Sequence, residues 1–330
     1  MSNRGVLKAP EVDSRAPLSQ NDRSMPPDAS NGKVMVVGSA NMDLVFRCDR
    51  LPAPGETRLA RQFETSPGGK GANQAAAIAR LLGSVDFVGK VGEDSFGRAL
   101  LSSLKSVGVR TDHTLTASDA STGVAAVIVS ADGQNSIVVA PGANQVVTAE
   151  EVGQAIKICA PTVVLAQLEI PLSAVQACVG SAMFVLNPAP AASLSDELLR
   201  GVHVLTPNET ETETLTAINP TDGQACRRAS AALHDRGVGL VVLTLGSRGC
   251  FVSDSKRTEH FDPPAVDPVD TTAAGDAFSG ALAHFLANGR GIWNAAQLAN
   301  CVGALSTTVK GAQTSMPSLD LLKSIARDLL

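Results

Sequence analysis

From Lys33 onward, short runs of β-branched and aliphatic residues alternate with longer stretches in which apolar positions recur at helical spacing. The runs KVMVVGS, VDFVGKVG, TVVLAQLE, MFVLNP, VHVLTP and LVVLTLGS predict strands, in a mostly parallel sheet covered by helices on both faces. Helical patterns fall at 70–82, 94–107, 223–236, 276–288 and 293–310, with Gly83, Gly108, Gly237 and Gly289 placed as stops. The predicted fold class is therefore α/β, a doubly wound and mostly parallel sheet. Two stretches break the alternation. Residues 44–66 and 121–140 carry strand patterns with no helix between, and VAAVIVSADGQNSIVVA reads as a hairpin turning near Asp132-Gly133. A small β-subdomain beside the main sheet accounts for both.

The first 31 residues contain Pro10, Pro17, Pro26 and Pro27, mixed charges and no apolar period, which predicts a disordered tail. Its acidic residues set it apart from an organelle transit peptide. The whole chain of 330 residues is long enough for one large α/β domain with a subdomain, or for two domains. Aromatic residues make up only 3%, with no Tyr and Trp293 alone, so alanine and aliphatic packing must build the core. Stacking platforms for nucleic acid are thereby disfavoured, and a formal charge of −5 offers no basic field to attract polyanions. Six scattered cysteines without a C-x-x-C pair fit reduced thiols in the cytoplasm, and no apolar run has the length of a membrane span. The composition favours a small-molecule partner.

Candidate chemistry gathers where ligands bind in open parallel sheets, beyond the carboxyl ends of the strands. Asn41, Asp43, Glu169, Asn187, Asn208, Thr244 to Gly246, Asp270 and Asp276 all fall there. Singly, each is as well read as a cap, a turn residue or a solvated carboxylate. In SPGGKGANQAAAIARLLG, Gly68 and Gly69 allow a tight turn, and Lys70 and Asn73 supply polar tips. The segment is neither a Walker A loop nor a G-x-G-x-x-G turn. The tetrapeptide GANQ occurs at 71–74 and again at 142–145, with nothing around it repeated, and reads as coincidence. In PVDTTAAGDAFSGA, Asp276 sits at a helix mouth, where it either caps the helix or serves as a base beside an anion cradle of small residues.

GSANMDLVF, PAPGETRLA, PGGKGANQAA, LNPAPA, LTPNETE, LTLGSRG, DTTAAGDAFSGAL and VKGAQTSMP stand in the order and spacing of the PfkB-type, ribokinase-like carbohydrate kinase family. From Val34 to Pro317 the chain closely resembles that family. The resemblance implies a Rossmann-like kinase domain over 32–330, with a β-sheet lid from about 44–66 and 121–140. It implies a sugar held by Asn41, Asp43, Gly69, Lys70, Asn73, Glu169 and Asp276. ATP is implied beside Asn208, Glu211, Thr244, Gly246, Ser247, Gly249, Gly275 and Asn300, with Mg²⁺ near Asn208 and Glu211. Asp276 is implied as general base and Ala273, Ala274 and Gly275 as the anion hole. A K⁺ or similar monovalent activator is implied at Asp270 and Ser315 through side chains, and at Thr272, Ser306, Val309 and Gly311 through carbonyls. Val309 replaces a residue that is often basic, which leaves carbonyl donation intact.

Within the family, GGKGANQA points towards enzymes acting on D-ribose rather than towards fructokinases or adenosine kinases. The implied reaction is ATP-dependent phosphorylation of the 5-hydroxyl, giving D-ribose 5-phosphate and ADP for pentose phosphate and nucleotide metabolism. The alternatives are a sibling kinase for deoxyribose or fructose, and a sugar-binding regulator without chemistry. A homodimer through the lid is expected, with no nucleic-acid or membrane partner.

Overall fold

A computed structural model describes residues 32–330; the predicted tail at 1–31 lies outside the described residues. β1 (Lys33–Val37) runs into β2 (Asn41–Arg47) and β3 (Gln62–Gly68), then α1 (Lys70–Arg80) and β4 (Ser84–Gly92). α2 (Ser95–Ser106) and β5 (Thr114–Ala117) precede a hairpin of β6 (Gly123–Val129) and β7 (Asn135–Ala140). Helices and strands then alternate through α3 (Ala149–Cys159), β8 (Val163–Ala166), α4 (Leu172–Gln176), β9 (Phe184–Leu186), α5 (Asp196–Arg200) and β10 (Val204–Leu205). α6 (Glu209–Thr216), α7 (Gly223–Asp235) and β11 (Leu240–Thr244) lead to a second hairpin, β12 (Cys250–Ser253) and β13 (Thr258–Phe261). The chain closes with α8 (Ala274–Ala287), α9 (Ile292–Ser306) and α10 (Leu319–Ala326).

The main sheet has the order β13-β12-β11-β10-β9-β8-β1-β4-β5 and is parallel except at the β12 and β13 edge. Alternation along β1 divides the core. Val34 and Val36 face α1, α2, α8, α9 and α10, whereas Met35 and Val37 face α3, α4, α5 and α7. The chain leaves β1 for β4 on one side and returns as β8 on the other, so the crevice between β1 and β8 is the switch point of the sheet.

The second sheet, β3-β2-β6-β7, grows from that crevice. Asn41 pairs with both Gly68 and Gly123 at its root. The expected hairpin at 121–140 is present, and Gly133 takes φ 85 at its turn. The expected strand at 44–66 is interrupted: 48–61 forms no strand, because PAPGE makes a turn that Arg50 clamps through both oxygens of Glu56, each at 2.7 Å.

Three local expectations shift. α8 begins at Ala274 rather than 276, after Ala273 takes a left-handed φ of 59. α9 stops at Ser306, well short of 310. After α1 the left-handed residue is Leu82 (φ 62) and not Gly83, whose missing Cβ instead avoids Ile78 Cγ2 at 2.6 Å. Gly108, Gly237 and Gly289 do adopt positive φ after their helices. All six cysteines are buried and unpaired, and burial pushes the thiols of Cys178 and Cys250 up to about 12. Among the described residues no helix is long and apolar enough to cross a membrane.

Candidate functional site

α1 and α8 meet over the switch-point crevice and bring their N-terminal turns together. The carboxylate of Asp276 is buried; its Oδ2 accepts from Asn73 Nδ2 at 3.0 Å and its Oδ1 from Gln74 Nε2 at 3.1 Å. Among the described residues no side chain caps α8; Asp276 spends its oxygens on α1, and the capping reading is set aside. Burial raises its carboxyl above the usual range, while the Lys70 ammonium and the two amide donors oppose that rise.

At the mouth of α8 the N–H groups of Gly275 and Asp276 have no acceptor among the described residues, while Ala274 N donates to Thr271 O at 3.2 Å. Two unspent amides at a helix start form a site for negative charge. A Cβ on Gly275 would meet nothing within 4 Å, so the backbone there opens directly onto the adjoining space.

That space consists of two joined cavities. The larger, of about 730 Å³, is lined by Thr244, Gly246, Ser247, Gly249, Pro264, Val266, Phe278 and Asn300. The smaller, of about 220 Å³, is lined by Lys70, Asn187, Glu211, Ala273, Asp276 and Ser279. Asn208, Thr244, Thr271, Ala274 and Gly275 line both. An apolar-walled groove therefore opens into a polar chamber lined by Asp276.

Lys70 lies in that chamber, and its ammonium is held charged, first by Asp276, against burial, with Glu169 and Glu211 adding to the effect. Asn208 caps α6: its Oδ1 accepts from Glu211 N at 2.8 Å, and the Glu211 carboxylate accepts from Asn208 N and Nδ2, both at 2.9 Å. Burial raises the Glu211 carboxyl. Asn300 commits its amide nitrogen to the Phe261 and Asp262 carbonyls, at 3.1 and 3.0 Å, and so shapes the groove wall.

On the side of the second sheet, Glu169 accepts from Ser39 Oγ and from Lys70 N, fastening β8 to the segment after β1 and to the start of α1. Asn41 Oδ1 accepts from Asn144 Nδ2 at 2.7 Å. Gly69 takes φ 89, and a Cβ there would lie 2.7 Å from Asn41 N. Asp43 accepts no hydrogen bond among the described residues; burial first, then Glu169 and Asp276, raise its carboxyl from 3.8 to about 7. Asn73 Oδ1 is buried without a partner among the described residues. Asp43 and Asn73 thus each keep an acceptor without a donor among the described residues.

The six residues expected around a cation occupy two adjoining segments. Asp270 Oδ1 accepts from Thr272 N and Oγ1, at 3.0 and 2.6 Å, and its Oδ2 accepts from Gly311 N at 2.9 Å. Burial alone would raise the Asp270 carboxyl, but these donors carry it below its ordinary value. Ser306 Oγ donates to Gly303 O and Ser315 Oγ to Ala312 O, both at 2.8 Å. The Thr272 and Gly311 carbonyls receive no hydrogen bond among the described residues, and Val309 N points to Ser306 O at 3.4 Å.

The family model of the pfkB family carbohydrate kinases matches residues 31–319. The chain belongs to the pfkB family of carbohydrate kinases. Among its relatives in this kinase family, a ribokinase of Haemophilus influenzae is 39% identical over 289 residues, covering 86% of this chain and 94% of that protein. The crystal structure of a ribokinase from Thermotoga maritima superposes with a TM-score of 0.83 at 31% identity, covering 90% of this chain and 100% of that one. An Arabidopsis thaliana ribokinase complexed with ribose and ATP gives a TM-score of 0.81 at 33% identity, covering 89% and 98%. The kinase family's fold, a large mostly parallel sheet plus a smaller separate one, is the fold observed here.

Several residues that shape this kinase site were not singled out by sequence. Gln74 binds Asp276 directly, Gln167 supports Gln74, and Asn144 holds Asn41. Asn73 and Asn144 occupy the same place in the two GANQ copies; Asn73 binds Asp276 and Asn144 holds Asn41. Their backbones share nothing, one lying on α1 and the other in a 3₁₀ turn.

Proposed function

We infer that this carbohydrate kinase transfers the γ-phosphoryl group of ATP to the 5-hydroxyl of D-ribose. The observation that carries the reading is Asp276, a buried carboxylate in the polar chamber that adjoins a groove of about 730 Å³, beside two helix amides free of acceptors among the described residues. The identity shared with ribokinases over most of the chain supports the sugar.

In this reading the nucleotide lies along the groove with its phosphates over Asn208, Thr244 and Gly275, and the sugar lies under the four-stranded sheet, which serves as a lid. Asn41, Asp43, Gly69, Asn73 and Glu169 hold the hydroxyls; a polyol needs both donors and acceptors, and Asp43 and Asn73 have acceptors to spare. Asp276 takes the proton of the 5-hydroxyl as that oxygen bonds to the γ-phosphorus and the bond to the ADP oxygen breaks. The amides at the mouth of α8 and the Lys70 ammonium meet the charge on the moving phosphoryl group. Asn208 and Glu211, which both line the smaller cavity, would hold Mg²⁺ through water, and the ion would neutralise charge on the phosphates. Asp270, Thr272, Ser306, Val309, Gly311 and Ser315 would hold a monovalent cation that would order the DTTAAGD loop; the two carbonyls there without a donor among the described residues suit it. The enzyme works in the cytoplasm, in keeping with six buried thiols.

We propose also that two chains pair through the lid. Phe63 is more than half exposed and Val138 is 70% exposed, and the strand register puts both on one face of the lid, an apolar surface unusual for a free sheet.

The deciding experiment incubates the protein with Mg-ATP, K⁺ and a panel of sugars and detects products by mass, with Asp276→Asn in parallel. Ribose 5-phosphate from the wild type, with turnover lost by about 10²- to 10⁴-fold in the variant, is the expected result. A different preferred sugar overturns the substrate, and ribose binding without product makes the protein a regulator.

A further inference from the structure

Behind Asp276 runs a chain of buried amides that the roles above do not use. Gln167, just past β8, and Gln74, on α1, are fully buried. Gln167 Nε2 donates to Gln74 Oε1 at 2.5 Å, and Gln74 Nε2 donates to Asp276 Oδ1 and to Asn187 Oδ1, both at 3.1 Å. Asn187 Nδ2 in turn donates to the Thr206 carbonyl at 3.1 Å.

An amide has one accepting end and one donating end. Gln74 receives Gln167 at its oxygen, so its nitrogen faces Asp276, and both of its hydrogens are used. Turning it over would set its oxygen against the Asp276 carboxylate and the Asn187 oxygen, and its nitrogen against that of Gln167. Burial excludes the water that would soften those contacts. The donor at Oδ1 is thus set by the two acceptors it meets, Asp276 and Asn187, with Asn187 held by the Thr206 carbonyl after β10; Gln167, whose Oε1 has no partner among the described residues, adds its donor at Gln74 Oε1.

We infer that Gln74 is a positioning residue for phosphoryl transfer, holding the plane of the Asp276 carboxylate through a relay that begins at Gln167. The inference rests on Asp276 being the base. A donor at Oδ1 favours the carboxylate over the acid, whereas burial favours the acid. The charged groups facing Asp276 are Lys70 from α1, Glu169 beyond β8, Asp43 from β2 and Glu211 from α6. None of them replaces the Gln74 bond, because the Oδ1 partner is Gln74 and Oδ2 is met by Asn73.

The test is Gln74→Met, which keeps the volume and removes the donor, with Gln167→Met releasing Gln74 one step further away. For Gln74→Met we expect kcat with ribose to fall roughly 10- to 100-fold while KM for ribose and for ATP stays within about threefold. The acid limb of the kcat profile should move up by about half to one pH unit, since the base is then lost to protonation at higher pH. Gln167→Met should show a smaller change in the same direction, and it decides the matter if Gln74→Met does not fold. A merely structural role would lower Tm and leave kcat per folded molecule and the acid limb unmoved; that result overturns the inference. Asp276→Asn separates the two readings: if it is inactive while both glutamine variants turn over normally, only this inference fails, and if it stays active, the base itself is misassigned.

Discussion

Asp43 offers the sharpest quantitative test, because its carboxyl is raised from 3.8 to about 7 by burial and by two neighbouring carboxylates, with no hydrogen bond among the described residues to compensate. Between those two values the folded protein holds a proton that the unfolded chain has released. Stability contributed by this group therefore falls as pH rises through the window and is level above about 7. From pH 5 to pH 7 the span is about two units, and at ~1.36 kcal/mol per unit it comes to about 2–3 kcal/mol. Relaxation around a side chain that is not fully buried reduces this, and about 1 kcal/mol is a safe floor. Asp43→Asn removes the titration. Urea unfolding of the sugar-free proteins at pH 5 and pH 8 should show the variant gaining on the wild type by that amount more at pH 8. Ribose should reverse the order at pH 8, since its hydroxyls donate to the carboxylate; at a hundred times Kd it adds about 2.7 kcal/mol to the wild type and much less to the variant. An identical wild-type-to-variant difference at both pH values would refute the reasoning.

Gly275→Ala should leave Tm unchanged or slightly raised, because nothing lies within 4 Å of the new methyl, yet kcat/KM for ATP should drop by at least about tenfold as the methyl enters the phosphate path. Gly69→Ala should cost roughly 1–3 kcal/mol in chemical denaturation, from a positive φ and a Cβ 2.7 Å from Asn41 N. Asp270→Ala should abolish stimulation of turnover by K⁺ and leave the K⁺-free rate within about threefold of wild type; retained stimulation removes the cation from that loop. Light scattering of the wild type should give a dimer mass and Val138→Lys a monomer mass; a monomeric wild type removes the lid as an interface.

The parallel sheet was legible because strands buried on both faces leave unbroken aliphatic runs, as KVMVVGS and LVVLTLGS do. The carboxyl-edge residues followed from that topology. The antiparallel edge was harder to see: β12 and β13 are only four residues each, joined by a turn whose Ser255 takes φ 72 without a glycine. The start of α8 was misplaced because the left-handed residue before it is Ala273, and alanine carries no turn signal. Gln74 remained hidden for a different reason. Its partner is 202 residues away, and a glutamine inside an alanine-rich helix has no local mark that separates a relay from a solvated side chain.

The crossing of α1 over α8 has a further meaning. Its contact is built from alanines and from Gly280, where a Cβ would come within 2.6 Å of the Gln74 carbonyl and 3.0 Å of Ala77 Cβ. Asn73 and Gln74 hang from one helix and Asp276 from the other, so the gap between the two backbones is a gauge that sets the working distance of the chemistry. That gauge is defined by an atom the chain lacks. One methyl at Gly280, a full turn past Asp276 and outside both cavities, would act as a shim between the helices and detune the reaction without touching either substrate.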